Sequence, residues 1–411
     1  MIRENFLYCG IDLHKFEHTA VLVDCWNNKL QTITIENKPS EFSKLAKKVN
    51  KKAAELGLSP IYGLEGAYGF GRSLAIWLID KGCVVKDVNP ALAYEMRKSA
   101  PSFKKNDAYD AFCVATVMIN HLNTLSDAKP HDLYWTLSQF VNRREILVKE
   151  GIRLKQGLHN QITVAYPSYH KFFYDIEGKI ALYFWQKYPS PVHLQGKSAE
   201  ELQSEFRAIV PGLSRKNKAE LIFDCVLNDG NTIRDYQAER DFITRSLARC
   251  LENKKEEIAI IEAEIEKMLH KFDYKLTSIP GINIVTAAKL IAEIGDINRF
   301  KNADKLASFA GISPVNFSSA GKGKDVRSKQ GNRTLRTVFY FWAVTMVQLS
   351  KAGKANNPVF REYFERKISE GKTKSQALVC IMRRLVNIVY SIMKNKTVYR
   401  PFVREEKITE E

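Results

Sequence analysis

The sequence predicts an α/β domain at the front of the chain with mostly helical structure behind it. Three observations carry this. Short β-branched and apolar runs separated by polar turns crowd the first 36 residues. Apolar residues then recur at helical spacing over long stretches of the middle and the end. At 411 residues the chain is also too long for one ordinary core and long enough for two or three domains.

The elements follow in order. Phe6–Leu13 (FLYCGIDL), Thr19–Cys25 (TAVLVDC) and Leu30–Glu36 (LQTITIE) read as strands, the last two separated by the turn pair Asn27-Asn28. Glu41–Leu56 reads as a helix. Ile61–Glu65 reads as a fourth strand running into a glycine-rich turn, and Arg72–Lys81 as the next helix. Val84–Val88 is a fifth strand, broken by Asn89-Pro90, and Asp107–Leu122 is a helix with an apolar face. The order β-β-β-α-β-α-β-α is that of a ribonuclease-H-like fold, although order alone leaves function open.

In the middle, Asp132–Ala165 places Leu133, Leu137, Phe140, Val141, Leu147, Leu154, Leu158 and Ile162 at helical spacing, and Pro167 ends it. Residues 167–235 are aromatic-rich and read only as an inserted or elaborated helical region. Tyr236–Phe272 is a second long helix. Its Leu247, Leu251, Ile258, Ile261, Ile265 and Met268 suit a coiled-coil seam, or equally an amphipathic helix packed on its own domain. Beyond it, Ile279-Pro280-Gly281-Ile282 is a tight turn. It reads either as half of a helix-hairpin-helix or as a plain interhelical turn, because Asn283 stands where the second glycine is usual. Helices follow at Ile284–Ile294 and Lys305–Ala310. Residues 311–332, nearly free of large apolar side chains, read as a loop. A last helical region runs from Arg333 to about Lys394 with a break at Gly353–Pro358. The expected domains are 1–130, 131–273 and 274–400, with a tail at 401–411.

Composition narrows the partners. Against 46 acids stand 63 Lys and Arg, a net charge of +17, which favours a polyanion. No apolar run reaches the ~18 residues of a spanning helix, and Met1–Gly10 lacks a signal-peptide pattern. No membrane partner is therefore expected. The seven cysteines form no CxxC pair, which points to a reducing, cytoplasmic setting without a disulfide framework or structural zinc.

Four carboxylates stand where a metal site could form. Asp12 ends the first strand, Glu65 ends the fourth, and Asp107 and Asp110 open a helix. Residues three apart on a helix are neighbours, so both can face one point. Phosphodiester chemistry with two Mg²⁺ ions needs such a set of hard oxygen ligands. Taken singly, each acid would serve a turn or a helix start. The ordered combination within one short domain points to metal. Gly-Ile-Asp before a hairpin also opens sugar-kinase and actin-like ATPases, but the further phosphate and adenosine loops of those enzymes are not found downstream.

The second informative stretch is Gly311–Arg336. Lys322, Lys324, Arg327, Lys329, Arg333 and Arg336 face a single acid, Asp325, and follow the hydroxyls of Ser318 and Ser319. Small-residue backbone can nest an anion, and a serine hydroxyl can attack phosphorus. Either serine could equally decorate a loop. Gly331-Asn332 reads as a turn and N-cap for the helix that follows.

These segments together resemble the insertion-sequence-110 transposase family, which includes the Piv-type DNA invertases. The matching stretches are Gly10-Ile11-Asp12-Leu13-His14-Lys15, Leu64-Glu65-Gly66, Asp107-Ala108-Tyr109-Asp110-Ala111, Ile279–Phe300, Ala310-Gly311-Ile312-Ser313-Pro314 and Gly331-Asn332-Arg333-Thr334-Leu335-Arg336. The resemblance implies a RuvC-like Asp-Glu-Asp-Asp domain, a coiled-coil middle and a C-terminal transposase domain with a nucleophilic serine. It implies Mg²⁺ held by Asp12, Glu65, Asp107 and Asp110, and donor and target DNA as substrates. It further implies a structured non-coding bridge RNA and a dimer or tetramer whose protomers share active sites. Counting from Pro314 gives Ser319 as the serine. Ala320 replaces the glycine expected next, so Ser318 stays open as the alternative. Alternatives for the whole chain are a RuvC-like nuclease or junction resolvase that uses only the carboxylates, and an invertase.

Overall fold

In the computed structural model the described residues are 2–66, 69–99, 106–128, 132–211, 218–319, 322–326, 328 and 330–401. The chain divides into two compact units, Met1–Trp135 and Thr136–Glu411.

The first unit holds strands β1 (Phe6–Leu13), β2 (Glu17–Val23), β3 (Lys29–Glu36), β4 (Ser59–Glu65) and β5 (Val84–Val88). They form one sheet in the order β3-β2-β1-β4-β5. The first three run antiparallel, while β4 pairs parallel with β1 and β5 parallel with β4. This is the ribonuclease-H-like arrangement. Helices α1 (Pro39–Leu56) and α2 (Arg72–Asp80) cover one face. Helices α3 (Pro90–Lys98) and α4 (Asp107–His121) cover the other. Alternation sorts the side chains: Leu7, Cys9 and Ile11 join the α1/α2 core, and Tyr8 joins the α4 core.

Gly10 and Gly63 stand opposite each other on β1 and β4. A Cβ at Gly10 would lie 2.2 Å from the Ala111 carbonyl oxygen and 2.4 Å from the Ala115 nitrogen, both backbone atoms of α4. One at Gly63 would lie 2.3 Å from the Met118 sulfur. The paired glycines thus form a trough into which α4 settles.

Helix α3 was not expected. Pro90 reads as a strand breaker in sequence, yet here it opens a helix, where its missing N–H costs nothing. Asn89 caps that helix by accepting a hydrogen bond from the Ala91 N–H at 2.9 Å.

The rest is nearly all helical: α5 (Asp132–Ala165), α6 (Tyr169–Phe172), α7 (Lys179–Lys187), α8 (Ala199–Ile209), α9 (Lys218–Asp229) and α10 (Gln237–Leu269). After them come α11 (Ile284–Ile294), α12 (Ala303–Phe309), α13 (Arg333–Val347), α14 (Pro358–Ser369) and α15 (Lys374–Asn395). Between α12 and α13, where a loop was expected, strands β6 (Val315–Ser319) and β7 (Lys322–Val326) form an antiparallel hairpin.

The two long helices pair antiparallel. Arg144 Nε meets Glu262 at 2.6 Å, Lys254 Nζ meets Glu150 at 2.5 Å, and Gly157 faces Leu247. The seam read on the second long helix is therefore largely covered inside the chain: Leu251, Ile265 and Met268 are buried, and Leu247, Ile258 and Ile261 half-buried. The stretch between these helices folds around an aromatic core that Leu158 and Ile162 of α5 and Ala248 and Leu251 of α10 help to close, and in which Trp185, Phe184, Phe206 and Tyr166 are almost completely buried. Buried polar tips there find partners. Trp185 Nε1 donates to the Ile176 carbonyl at 3.1 Å and the Tyr166 hydroxyl to that of Tyr188 at 2.9 Å. Helix α15 is long and apolar enough to cross a membrane, but Ala377, Ile381, Leu385, Val389 and Ile392 are buried and the helix packs against α12, α13 and α14.

Candidate functional site

The trough positions the carboxylates. Asp12 lies two residues beyond Gly10 and Glu65 two beyond Gly63, so both share the α4 face. They stand one step past the last paired residues, Ile11 and Leu64, at the ends of adjacent parallel strands. Asn106 caps α4, its Oδ1 accepting the Tyr109 N–H at 2.7 Å. Asp107 and Asp110 fall in that helix's first turn, where the helix dipole also favours acids.

The structure brings all four acids to one end of the sheet and sets an imidazole and a guanidinium among them. His14 Nε2 lies 3.0 Å from Asp12 Oδ2 and 3.4 Å from Asp107 Oδ1. Arg97 of α3 grips Glu65 with both terminal nitrogens, at 2.7 and 3.1 Å, and its Nε lies 3.9 Å from Asp110 Oδ1. Each of these two side chains therefore bridges one strand-end acid and one helix acid. Asp107 is the outermost acid, with 61% of its side chain exposed against 13% for Asp110.

Two oxygens in this set are buried without a hydrogen bond, Asp12 Oδ2 and Asp110 Oδ1. His14 is within ion-pair distance of the first but does not make a hydrogen bond of acceptable geometry to it. Arg97 is too far from the second for one. Burial raises the Asp12 pKa; His14 pulls it down, while Asp110, Asp107 and Glu65 push it up again. Buried acids with orphaned oxygens call for a cation, so the donor set fits a hard divalent metal. Ligand atoms of Asp12, His14 and Asp107 lie within 4.8 Å of one another.

Sequence reasoning missed His14 as a participant, although it lies two residues after Asp12 in a quoted motif. It also missed Arg97, which sits on the helix that Pro90 concealed.

The serine segment lies in the second unit. Ser319 ends β6 opposite Lys322, and Ser318 pairs with Gly323. Lys322 and Lys324 lie on β7, whereas Ala320, Gly321, Arg327 and Lys329 fall outside the described residues. Two glycines pinch the base of the hairpin. Gly311 (φ +66°) and Gly331 (φ +114°) are both left-handed. A Cβ on Gly311 would come within 2.6 Å of the Gln330 carbonyl oxygen, and one on Gly331 within 2.5 Å of the Gly311 nitrogen. The Asn332 N–H donates to the Phe309 carbonyl at 2.7 Å and closes the neck. Asn332 also caps α13, accepting from the Leu335 N–H at 2.9 Å. Arg333 is exposed at the start of that helix. Arg336 is half-buried and donates to the Ser328 carbonyl at 3.1 Å.

The turn Ile279–Ile282 packs under α13: Trp342 Nε1 donates to the Pro280 carbonyl at 3.2 Å. Asn283 caps α11, taking the Thr286 N–H at 2.8 Å.

A hairpin-led sheet with acids at the ends of its two central parallel strands, and two more on a helix packed across them, defines a carboxylate-site domain of the ribonuclease-H-like class. Residues 9–167 match the profile of a DEDD-type IS110 transposase family, and residues 273–365 match that of the transposase IS116/IS110/IS902 family. The chain belongs to the IS110 family of transposases. An uncharacterized 43.6 kDa protein of insertion element IS110 from Streptomyces coelicolor is 28% identical over 331 residues, 78% of each chain. A pilin gene-inverting protein of Moraxella bovis is 32% identical over 132 residues, 31% of this chain and 37% of its own. A T. thermophilus RuvC in complex with a Holliday junction substrate covers 30% of this chain and 99% of its own at 11% identity, with a TM-score of 0.24.

Proposed function

We propose that this protein cuts and rejoins DNA at the ends of an insertion element, using Asp12, Glu65, Asp107 and Asp110 as a Mg²⁺ site and Ser319 as nucleophile. The observation that carries the reading is the convergence of the four acids, two with orphaned buried oxygens, in a chain of a transposase family. When bound, a pair of Mg²⁺ ions would polarise the scissile phosphate and offset the charge that develops on it. The chain's own residues supply the rest. Asp12 and Glu65 hold their positions through the sheet, and Asp107 and Asp110 through the capped helix. The Ser319 hydroxyl attacks phosphorus and gives up its proton. The phosphodiester bond to the leaving sugar oxygen breaks, and that oxygen takes up a proton. A phosphoserine ester and a free DNA hydroxyl result. Attack by a hydroxyl of the exchanged strand on that ester restores the serine. Lys322, Lys324, Arg327, Lys329, Arg333 and Arg336 would bind backbone phosphates near the nucleophile.

The rest of the reading comes from the family. A structured bridge RNA would choose donor and target, the protein would act on DNA in the cytoplasm, and the serine of one protomer would complete the metal site of another in a dimer or tetramer. Domain limits near 130 and 273 divide the metal-binding, helical and serine-bearing parts. Since the expected seam is largely covered within the chain, assembly would use other surfaces.

The test is to trap DNA on the protein with denaturant in the presence of Mg²⁺, flanking DNA and co-expressed RNA. A covalent adduct is expected from the wild type, none from Ser319→Ala and none with EDTA. An adduct that persists in Ser319→Ala but disappears in Ser318→Ala moves the nucleophile by one residue. Cleavage that survives both substitutions favours a carboxylate-only nuclease. Mixing Asp12→Ala with Ser319→Ala should partly restore exchange if sites are shared. The partial match to a pilin gene-inverting protein keeps inversion as a second reading, which the arrangement of the recombined DNA would decide.

A further inference from the structure

We infer that Phe16 and Phe70 form a stacking platform for unpaired bases of the DNA strand cut at the carboxylate site; this rests on the DNA-cleaving function proposed above. Asn37, just past β3, ties two turns together. Its backbone N–H donates to the Phe16 carbonyl at 2.7 Å, and its Nδ2 reaches the carbonyls of Lys15 at 3.3 Å and Phe70 at 3.2 Å. The two phenylalanines are thereby held on neighbouring loops. Neither ring is used by the core: Phe16 is 74% exposed and Phe70 58%.

Their surroundings point to nucleic acid. Lys15 Nζ lies 5.0 Å from the Phe16 ring centroid. Two residues before Phe16 in the same turn, His14 contacts Asp12 and Asp107, which places the turn beside the acids. A similar pair stands on α3, where Lys98 Nζ lies 4.5 Å from the ring of half-exposed Tyr94 and Arg97 grips Glu65. Exposed rings with ammonium groups beside them suit single-stranded nucleic acid, because every base offers a π-face and every nucleotide a phosphate. Paired bases are already stacked and cannot use such rings, so the platform selects a melted strand.

The experiment measures binding of the full-length protein in EDTA, which withholds metal, by fluorescence anisotropy. The probes are an oligothymidine DNA strand, a DNA duplex with a central run of mismatched thymines, a fully paired duplex and an oligouridine strand. Phe16→Ala with Phe70→Ala should weaken the first two by about tenfold or more and the paired duplex by less than about twofold. Phe16→Trp with Phe70→Trp should retain tight single-strand binding. Equal losses on paired and unpaired DNA, or no loss on either, would overturn the platform. Loss confined to oligouridine would overturn its assignment to the cut DNA strand. If the wild type binds none of the probes, the platform is overturned, while the DNA-cleaving function stands or falls separately on the covalent trapping described above.

Discussion

The carboxylate end of the sheet and the serine hairpin hold their reactive groups by opposite means. Asp12, Glu65, Asp107 and Asp110 are set by a sheet register, a glycine trough and a capped helix, and are cross-tied by His14 and Arg97. Ser319 stands at the end of a five-residue strand, in a hairpin that springs from two left-handed glycines. The contrast fits the two roles proposed. A metal site must keep its oxygens in place before substrate arrives. A nucleophile that becomes covalently joined to DNA must be carried with it.

Three changes would break or sharpen this contrast. Gly10→Ala has the largest expected effect, because its Cβ would meet backbone of α4 and not a yielding side chain. A loss of about 3 kcal/mol is expected from such overpacking, read by urea unfolding, together with loss of metal binding. Unchanged stability would mean that the trough does not hold α4. Gly311→Ala should cost about 2 kcal/mol through left-handed strain at the hairpin neck. Here DNA rejoining should fall while Mn²⁺ binding, followed by electron paramagnetic resonance, stays as in the wild type. If both fall together, the two regions are not separable.

The smallest effect concerns Asp12 in EDTA. Its pKa is raised by burial above its ordinary value near 3.8. The folded state therefore keeps this proton to higher pH than the unfolded chain does. The stability this lends is present at low pH and is lost as pH rises from the unfolded value through the raised folded one. Asp12→Asn should remove that decline and melt slightly higher than the wild type at neutral pH without metal. It should also lose the upward shift that Mg²⁺ gives the wild type. A wild-type melting temperature that Mg²⁺ leaves unmoved would argue against a metal at these acids.

Much of the first unit was legible because strand alternation and helix spacing are local signals. β1 and β5 have the expected bounds, and the other strands differ by about two residues at most. The four acids were legible because each lies at the end of such an element. What escaped depends on context. Pro90 carries the same residue signal whether it stops a strand or opens a helix. Arg97 has no motif, and only the fold brings it to Glu65. The Gly10 and Gly63 pair acquires its meaning once the register of β1 and β4 is known. The hairpin was read as a loop because β6 and β7 are rich in Gly, Ser and Lys and poor in the residues that usually mark strands. The seam of the second long helix had the right spacing, but spacing cannot tell a partner in another chain from one in the same chain.

The antiparallel pairing of α5 with α10 bears on how this chain tolerates change in length. Everything from Tyr166 to Tyr236 leaves and returns at the same tip of that helix pair. The excursion packs its aromatic residues onto both helices near that tip, against Leu158 and Ile162 of α5 and Ala248 and Leu251 of α10. Closing a longer span adds only about 0.6 kcal/mol for each doubling. Length can therefore vary in the connections of the segment, but cutting it out would bare the apolar residues that both helices bury against it at that tip.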